Sequence, residues 1–582
     1  PHSHIHLLPH SLTHTFTYSI THCTLTVHSL THSLTPSLPH SLTHSLMQAL
    51  LELPGDLLRH EFFPLLLPRD VCALDAAVSS RPLRRLLLQL YRSLTPSLTH
   101  SPRGLTLHQM LWFYTRGVPL RSICFDPSLR PQEVADIFEV LQSAGSCCGT
   151  HSCSGTGSAC TCACVCACSG TAASSVRHLT LSPFSDSAGG LHCFQLLTLC
   201  THLHSLTLLD CKAVAAPVLE ALRALHTTRT RLHSLDLSAC SEITDEFLEA
   251  LSEGCPSLTS LNLSHSHEIS GVAVRTLAER TSLRALDLSD CAQVECDALV
   301  GVARCAPCLT SLKLMWCTRV DDTVLLALAH CCVSLSCLSV CGCALVTDVG
   351  VVAIAQSCPS LTALELGTCG KVTDASVIAL CRGAPLLARL DLGYCGQLTS
   401  CALQCIARDL PLLQVLIVSS LELVSEDGFV DLAAGCPSLT ELDVSKNATF
   451  TDRCMESLTV NHPRLMKFDG SHCQSLTDAS ARCLARSGLS LKSLRLNCCE
   501  KLTAAGVVTL ARACPNLCEL SLCRIRLTEE AAHSIAHGCR SLTSLSLGGC
   551  GNLSNAVLAA LASSKSLIRF LNDDNDDDGD GY

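Results

Sequence analysis

Leu361-Thr-Ala-Leu-Glu-Leu-Gly-Thr-Cys-Gly-Lys-Val-Thr-Asp374 is the stretch on which the fold turns. Leu364 and Leu366 alternate with Ala363, Glu365 and Gly367, and period-two alternation reads as a short strand with one buried face. Leu258-Thr-Ser-Leu-Asn-Leu-Ser264 reads the same way. The segment opened by Thr-Asp is clearest at Thr244-Asp-Glu-Phe-Leu-Glu-Ala-Leu-Ser-Glu-Gly-Cys-Pro256. Thr244 is a helix N-cap, Asp245 and Glu246 suit the positive end of the helix dipole, and Phe247, Leu248 and Leu251 share one face. Gly254 and Pro256 supply the stop.

This grammar recurs. Cys317, Cys343, Cys369, Cys395, Leu421, Asn447, Cys473, Cys499 and Ile525 stand 26 residues apart. Cys291, Ser266, Cys240 and Cys211 continue the series upstream, and Cys550 closes it, for fourteen units in all. The helix signal recurs at Thr347-Asp348 and Thr477-Asp478 and weakens at Thr399-Ser400 and Thr503-Ala504. A fixed period of this length is the signature of a solenoid, in which each unit buries its apolar face only against its neighbours. One strand and one helix per unit is a leucine-rich repeat. The expected fold is an α/β right-handed horseshoe, with parallel strands inside and helices outside. Fourteen strands at ~4.7 Å spacing make a ladder of roughly 60 Å.

The pattern Leu-x-x-Leu-x-Leu-x-x-Cys-x-x-(Ile/Leu/Val)-Thr-Asp, closing on Cys-Pro-x-Leu, resembles the cysteine-containing, ribonuclease-inhibitor-like leucine-rich repeats. The likeness covers about residues 190 to 571, within a repeat domain taken as 176–571. Repeats between Val176 and Leu232 are less regular, as an N-terminal cap would be.

The chain holds 43 cysteines, which first suggests a disulfide scaffold. Such scaffolds are small, whereas this chain has a large core of its own. Ser266, Leu421, Asn447 and Ile525 replace the periodic cysteine with no compensating partner in sequence, as a buried small side chain allows. A reducing compartment, cytoplasmic or nuclear, is therefore expected. No signal peptide and no membrane-length apolar run is legible. Aromatic content is 3%, so the core is aliphatic. Net charge is −11, six of those charges lie in the tail 572–582, and the remaining −5 does not suggest a nucleic-acid binder.

Outside the repeats, residues 1–47 and 93–101 iterate Ser-Leu-Thr-His, and residues 144–175 are rich in Cys, Ser and Gly, with Cys160, Cys162, Cys164, Cys166 and Cys168. Each reads either as disordered low-complexity sequence or as a metal-binding tract. Cys-x-Cys lacks the paired knuckles of a structural zinc site, so no metal is expected. The tail Asp576-Asp-Asp-Gly-Asp-Gly-Tyr582 matches the opening of an EF-hand loop but stops before position twelve, and a solvated acidic tail is expected.

Residues 48–92 read as short helices broken at Pro68 and Pro82, and residues 102–143, with Trp112, as a linker feeding an early strand. Leu53-Pro54, Leu57-Leu58, Leu67-Pro68-x-Asp70-Val71, Leu74 and Val78 resemble an F-box. Arg81 to Leu90 lacks the Trp usual in that family, and Gly55 and Phe62-Phe63-Pro64 depart from its first helix. The resemblance implies that Leu53, Pro54, Leu57, Leu58, Leu67, Asp70, Val71, Leu74 and Val78 contact the Skp-type adaptor of a cullin–RING ubiquitin ligase, or form the core behind that contact. The other reading is a helical cap on the first repeat. F-box followed by cysteine-type repeats is similar in order to the F-box/leucine-rich-repeat receptors.

A target would meet the concave face. The middle residues of the Leu-x-Leu strands are Asp236, Asn262, Asp287, Lys313, Ser339, Glu365, Asp391, Ile417, Asp443, Asp469, Arg495, Ser521 and Ser546. Six are acidic and two basic, which favours a basic segment of a protein partner; a merely solvated face is the alternative. Trp316 and Tyr394 are candidate binding anchors or loop packing. No nucleophile elbow, Walker loop or His-Glu-x-x-His is present. Neither catalysis by this chain nor a cofactor is expected.

Overall fold

The computed structural model describes residues 122–124, 177–181, 203–208, 232–240, 243–486, 490–550, 553–554, 561 and 569–571. The F-box-like residues from Leu53 to Val78, Trp112, the low-complexity tracts and the acidic tail lie outside the described residues. The chain forms two compact units, residues 1–242 with 253–257, and residues 243–252 with 258–582.

In the first unit, strands Ser122–Cys124, His178–Leu181, Ser205–Leu208 and Ser234–Asp236 pair in parallel. Leu179, Leu206 and Leu235 stand in register, and all three are buried. The irregular first repeats thus form a parallel ladder of their own.

The second unit carries thirteen three-residue strands among its described residues, from Ser260–Asn262 to Arg569–Leu571, each parallel to the next. Their central residues form one apolar column that includes Leu338, Leu364, Leu390, Leu416, Leu442 and Phe468. Helices return the chain between strands, from Asp245–Gly254 to Glu529–Gly538. One unit shows how the core is built. Leu361, Leu366, Cys369, Val372, Val377 and Leu380 are fully buried, and each such leucine contributes ~1.5–3 kcal/mol.

Two bond ladders tie the rungs. The first is made by the periodic thiols. Cys343 Sγ donates to Leu314 O, Cys369 Sγ to Val340 O and Cys395 Sγ to Leu366 O, each at 3.2 Å and each 29 residues upstream. Asn447 fills the thiol's place with hydrogen bonds of its own. Its Nδ2 donates to Val418 O at 2.8 Å, as a thiol would, and its Oδ1 accepts from Leu421 N at 2.8 Å. One non-cysteine rung is thus completed by the next.

The second ladder uses the Thr-Asp pair. Asp348 accepts from Thr373 N at 2.9 Å, Asp374 from Thr399 N at 2.8 Å, and Asp452 from Thr477 N at 3.0 Å. The threonines also cap their own helices, Thr373 Oγ1 accepting from Ala375 N. Helices form just as fully at Ser400–Asp409 and Ala504–Ala513, where the sequence signal weakens, because Thr399 and Thr503 still cap them. At the first of these Ser400 Oγ replaces the carboxylate, accepting from Ser425 N at 3.0 Å.

Volume is conserved around the largest core side chains. Phe429, Phe450 and Phe468 pack in a row, with ring centroids 5.5 and 6.0 Å apart. Phe468 occupies a leucine position of the column. Gly470 stands where other units place Leu or Val, and a Cβ there would lie 2.8 Å from the Phe468 ring.

No helix among the described residues is long and apolar enough to cross a membrane.

Candidate protein-interaction face

Because side chains alternate along a strand, the residues flanking each buried leucine share the open face of the sheet. In the second unit Asn262, Asp287, Lys313, Ser339, Glu365, Asp391, Ile417, Asp443, Asp469, Arg495, Ser521 and Ser546 stand in one register-matched row. Asp236 holds the same strand position in the first unit.

Much of the acidity has a local cause. Asp287, Asp391, Asp443 and Asp469 each accept, through Oδ1, the N–H two residues on, at 2.8–3.0 Å. Asp236 does the same, and so does the amide oxygen of Asn262. The turn after the strand needs a short side-chain acceptor. It does not need a charge.

A second row, the first residue of each strand, was not singled out in the sequence, although period two places it on the same face. It supplies countercharges. Arg389 Nε donates to Glu365 at 2.6 Å, and Lys467 pairs with Glu441 at 2.9 Å. Within the middle row, Lys313 lies 3.6 Å from Asp287 and Arg495 3.9 Å from Asp469.

Two carboxylates in the centre of the row, Asp391 and Asp443, form no ion pair, and Ile417 stands between them. Asp391 is 2% exposed. Its Oδ1 takes the Gly393 N–H at 2.9 Å, and its Oδ2 has only the Cys341 thiol at 3.9 Å. Burial pushes its acid up to about 6; the Gly393 N–H and the Arg389 charge oppose the shift, and Glu365 adds to it. Asp443 is likewise pushed up to about 6, by burial and then by Asp469. The Ser339 hydroxyl, in the same row, is fully enclosed, with the Cys341 thiol as its neighbour.

Trp316 and Tyr394 lie beside this face in left-handed backbone, φ 60° and 58°. The conformation recurs at the equivalent residue of each rung, from His265 (61°) through Ser420 (54°) and Lys446 (60°) to Arg524 (60°). Trp316 is 43% exposed and its ring rests on Gly342, where a Cβ would stand 2.5 Å away. Tyr394 is half-buried; its hydroxyl accepts from Lys446 Nζ at 2.6 Å, and that ammonium sits 5.1 Å from the ring centroid. The two aromatics are three rungs apart and do not meet. Lys446 and Gly342, which set how the rings lie, carried no sequence signal beyond their place in the period.

The periodic thiols offer no nucleophile. Burial pushes Cys291, Cys369 and Cys499 up to about 12. Among the described residues no group of three His, Cys, Asp or Glu is placed to hold a metal ion.

A protein-family profile described as Leucine Rich repeat matches residues 254–278, 357–381 and 435–458. The repeats are leucine-rich repeats. A protein-interaction scaffold is what such repeats build. No curated protein matches the sequence. Among solved structures, the Rad7 and Elc1 complex in yeast aligns at 18% identity over 59% of this chain and 85% of that chain, TM-score 0.46. The TLR13–ssRNA13 complex aligns at 19% identity over 64% of this chain and 46% of that chain, TM-score 0.36. LegL7 from Legionella pneumophila aligns at 15% identity over 55% of this chain and 98% of that chain, TM-score 0.33.

Proposed function

We propose that this chain is the substrate-recognition subunit of a Skp-cullin-F-box ubiquitin ligase, acting in the cytoplasm or nucleus. The F-box-like residues Leu53 to Val78 hold the adaptor, and the open face of the repeat sheet holds the target. The observation that carries the binding role is the register-matched row along twelve parallel strands, polar except at Ile417, with two carboxylates left outside any ion pair. The order of segments in the sequence supports the ligase role. The mechanism is proximity: the receptor sets a target lysine beside a charged conjugating enzyme, and the other subunits do the chemistry.

The second reading is a leucine-rich-repeat scaffold with no ligase link, whose N-terminal helices cap the first repeat. A pull-down separates the two, using the full chain with purified Skp-type adaptor, beside Leu57→Asp and Val71→Asp. Capture that both substitutions abolish, with circular dichroism unchanged, supports the receptor. Absence of capture by the folded wild-type chain leaves the scaffold.

A further inference from the structure

The strand-end turn asks only for an oxygen acceptor, and Asn262 supplies one without charge. Asp391 and Asp443 instead place ionisable groups there, the first buried and the second half-buried, with no ion pair to either. Arg389 attracts the Asp391 carboxylate through space but turns its Nε to Glu365. Cys341, which lies beside the enclosed Ser339 hydroxyl, touches the Asp391 carboxylate. The buried Asp391 carboxylate thus keeps one oxygen whose sole neighbour is a weak thiol donor, which points to a group supplied from outside.

The spacing restricts what that group belongs to. Asp391 and Asp443 are two rungs apart, about 9 Å at the usual strand separation. A segment in the polyproline II conformation rises about 9 Å in its three-residue turn, so its residues i and i+3 share one face at that spacing. An extended strand would turn those two residues to opposite faces. Ile417, between the carboxylates, meets the side of such a segment that also carries the two side chains.

We propose that Asp391 and Asp443 seat two basic side chains, three residues apart, of a partner segment in polyproline II conformation lying over Ile417. This rests on the reading that the open face receives the target. It does not depend on the ligase link, which the adaptor pull-down tests separately. The half-exposed Arg389 side chain shifts to admit the first cation.

The test uses two fluorescein-labelled peptides of equal composition, Gly-Pro-Arg-Pro-Pro-Arg-Pro-Gly and Gly-Pro-Arg-Pro-Arg-Pro-Pro-Gly. Each is titrated with the full chain by fluorescence anisotropy. The first is expected to bind at least ten-fold tighter. Asp391→Asn with Asp443→Asn, which keeps both turn acceptors, is expected to erase that difference. Asp297→Asn with Glu530→Gln, which removes two exposed helix charges, is expected to preserve it. Equal affinity for the two peptides, no binding at millimolar chain, or a difference that survives the inner pair of substitutions overturns the proposal.

Discussion

At the scale of the residue, one position can be filled by two chemistries, and each leaves its own debt when removed. The periodic thiol makes a single weak bond, from Cys369 Sγ to Val340 O. Asn447 makes three close ones, to Val418 O, Val444 O and Leu421 N. Cys369→Ala should cost ~1–2 kcal/mol, mostly lost packing. Asn447→Ala should cost ~2–4 kcal/mol because buried donors and acceptors are stranded. Urea midpoints of the two variants check the order. Asp391 behaves in the opposite sense. Its acid is raised to about 6 in the fold against 3.8 unfolded, so the fold binds a proton that the unfolded chain releases. Stability is therefore lost as pH rises from about 4 to about 6, by at most ~3 kcal/mol. Asp391→Asn should raise the melting temperature at pH 7.5 and leave it nearly unchanged at pH 4. An equal gain at both would refute the burial argument.

At the scale of the element, the legible and the illegible part company. Strand, bend and helix could be read from alternation, from Thr244 and Gly254, and from the 26-residue step. The second duty of the Thr-Asp aspartate could not, since its partner lies 25 residues away on the next rung. In sequence it shows only as a dipole-favoured first-turn acid. Burial raises the Asp348 acid, but the bonds from Ser376 and Thr373 outweigh it, and the net shift is downward. That stabilisation is present above the unfolded value of 3.8 and is lost as pH falls further. Asp348→Ala should cost ~1–3 kcal/mol at pH 7. It should also speed amide exchange in the first turn of Asp374–Gly383 more than in the helix that bears the substitution. Phe468 and Gly470 were equally invisible, because their complementarity is one of volume. Phe468→Leu leaves a void and Gly470→Leu a clash, each worth ~1–3 kcal/mol. Combined, they restore the common pattern and should recover most of the loss. Strict additivity in that double-mutant cycle would show that the two sites do not share space.

At the scale of the whole molecule, the middle row of the face was legible because period two places every such residue on one side. The pairs made by Arg389 and Lys467 were not, because those two residues sit in the neighbouring row of the same face. The F-box-like stretch, Trp112 and the acidic tail rest on sequence alone. A ladder held by nearest-neighbour contacts has a stability that is roughly a sum along its length. Leu364→Ala with Leu390→Ala, in adjoining central rungs, should cost ~4–8 kcal/mol locally and split the second unit's melting into two transitions. Leu520→Ala, near one end, should lower the first transition without creating another. A single sharp calorimetric peak for the central pair would show that the repeats unfold as one body.

The left-handed residues beside the strands have a consequence for engineering and drift. Each non-glycine residue held near φ 60° gives up roughly 1 kcal/mol that glycine would not. Gly342 and Gly549 show that glycine is accepted there. The molecule thus carries a reserve of thermal tolerance, and substitutions to glycine at Ala239 or Ser420 draw on it without touching the core. Doing the same at Trp316, Tyr394 or Lys446 would give up an exposed indole or the Tyr394–Lys446 contact for the same gain. In a lineage selected only for durability, these three should be erased early; where their surface is still used, they should resist replacement longest.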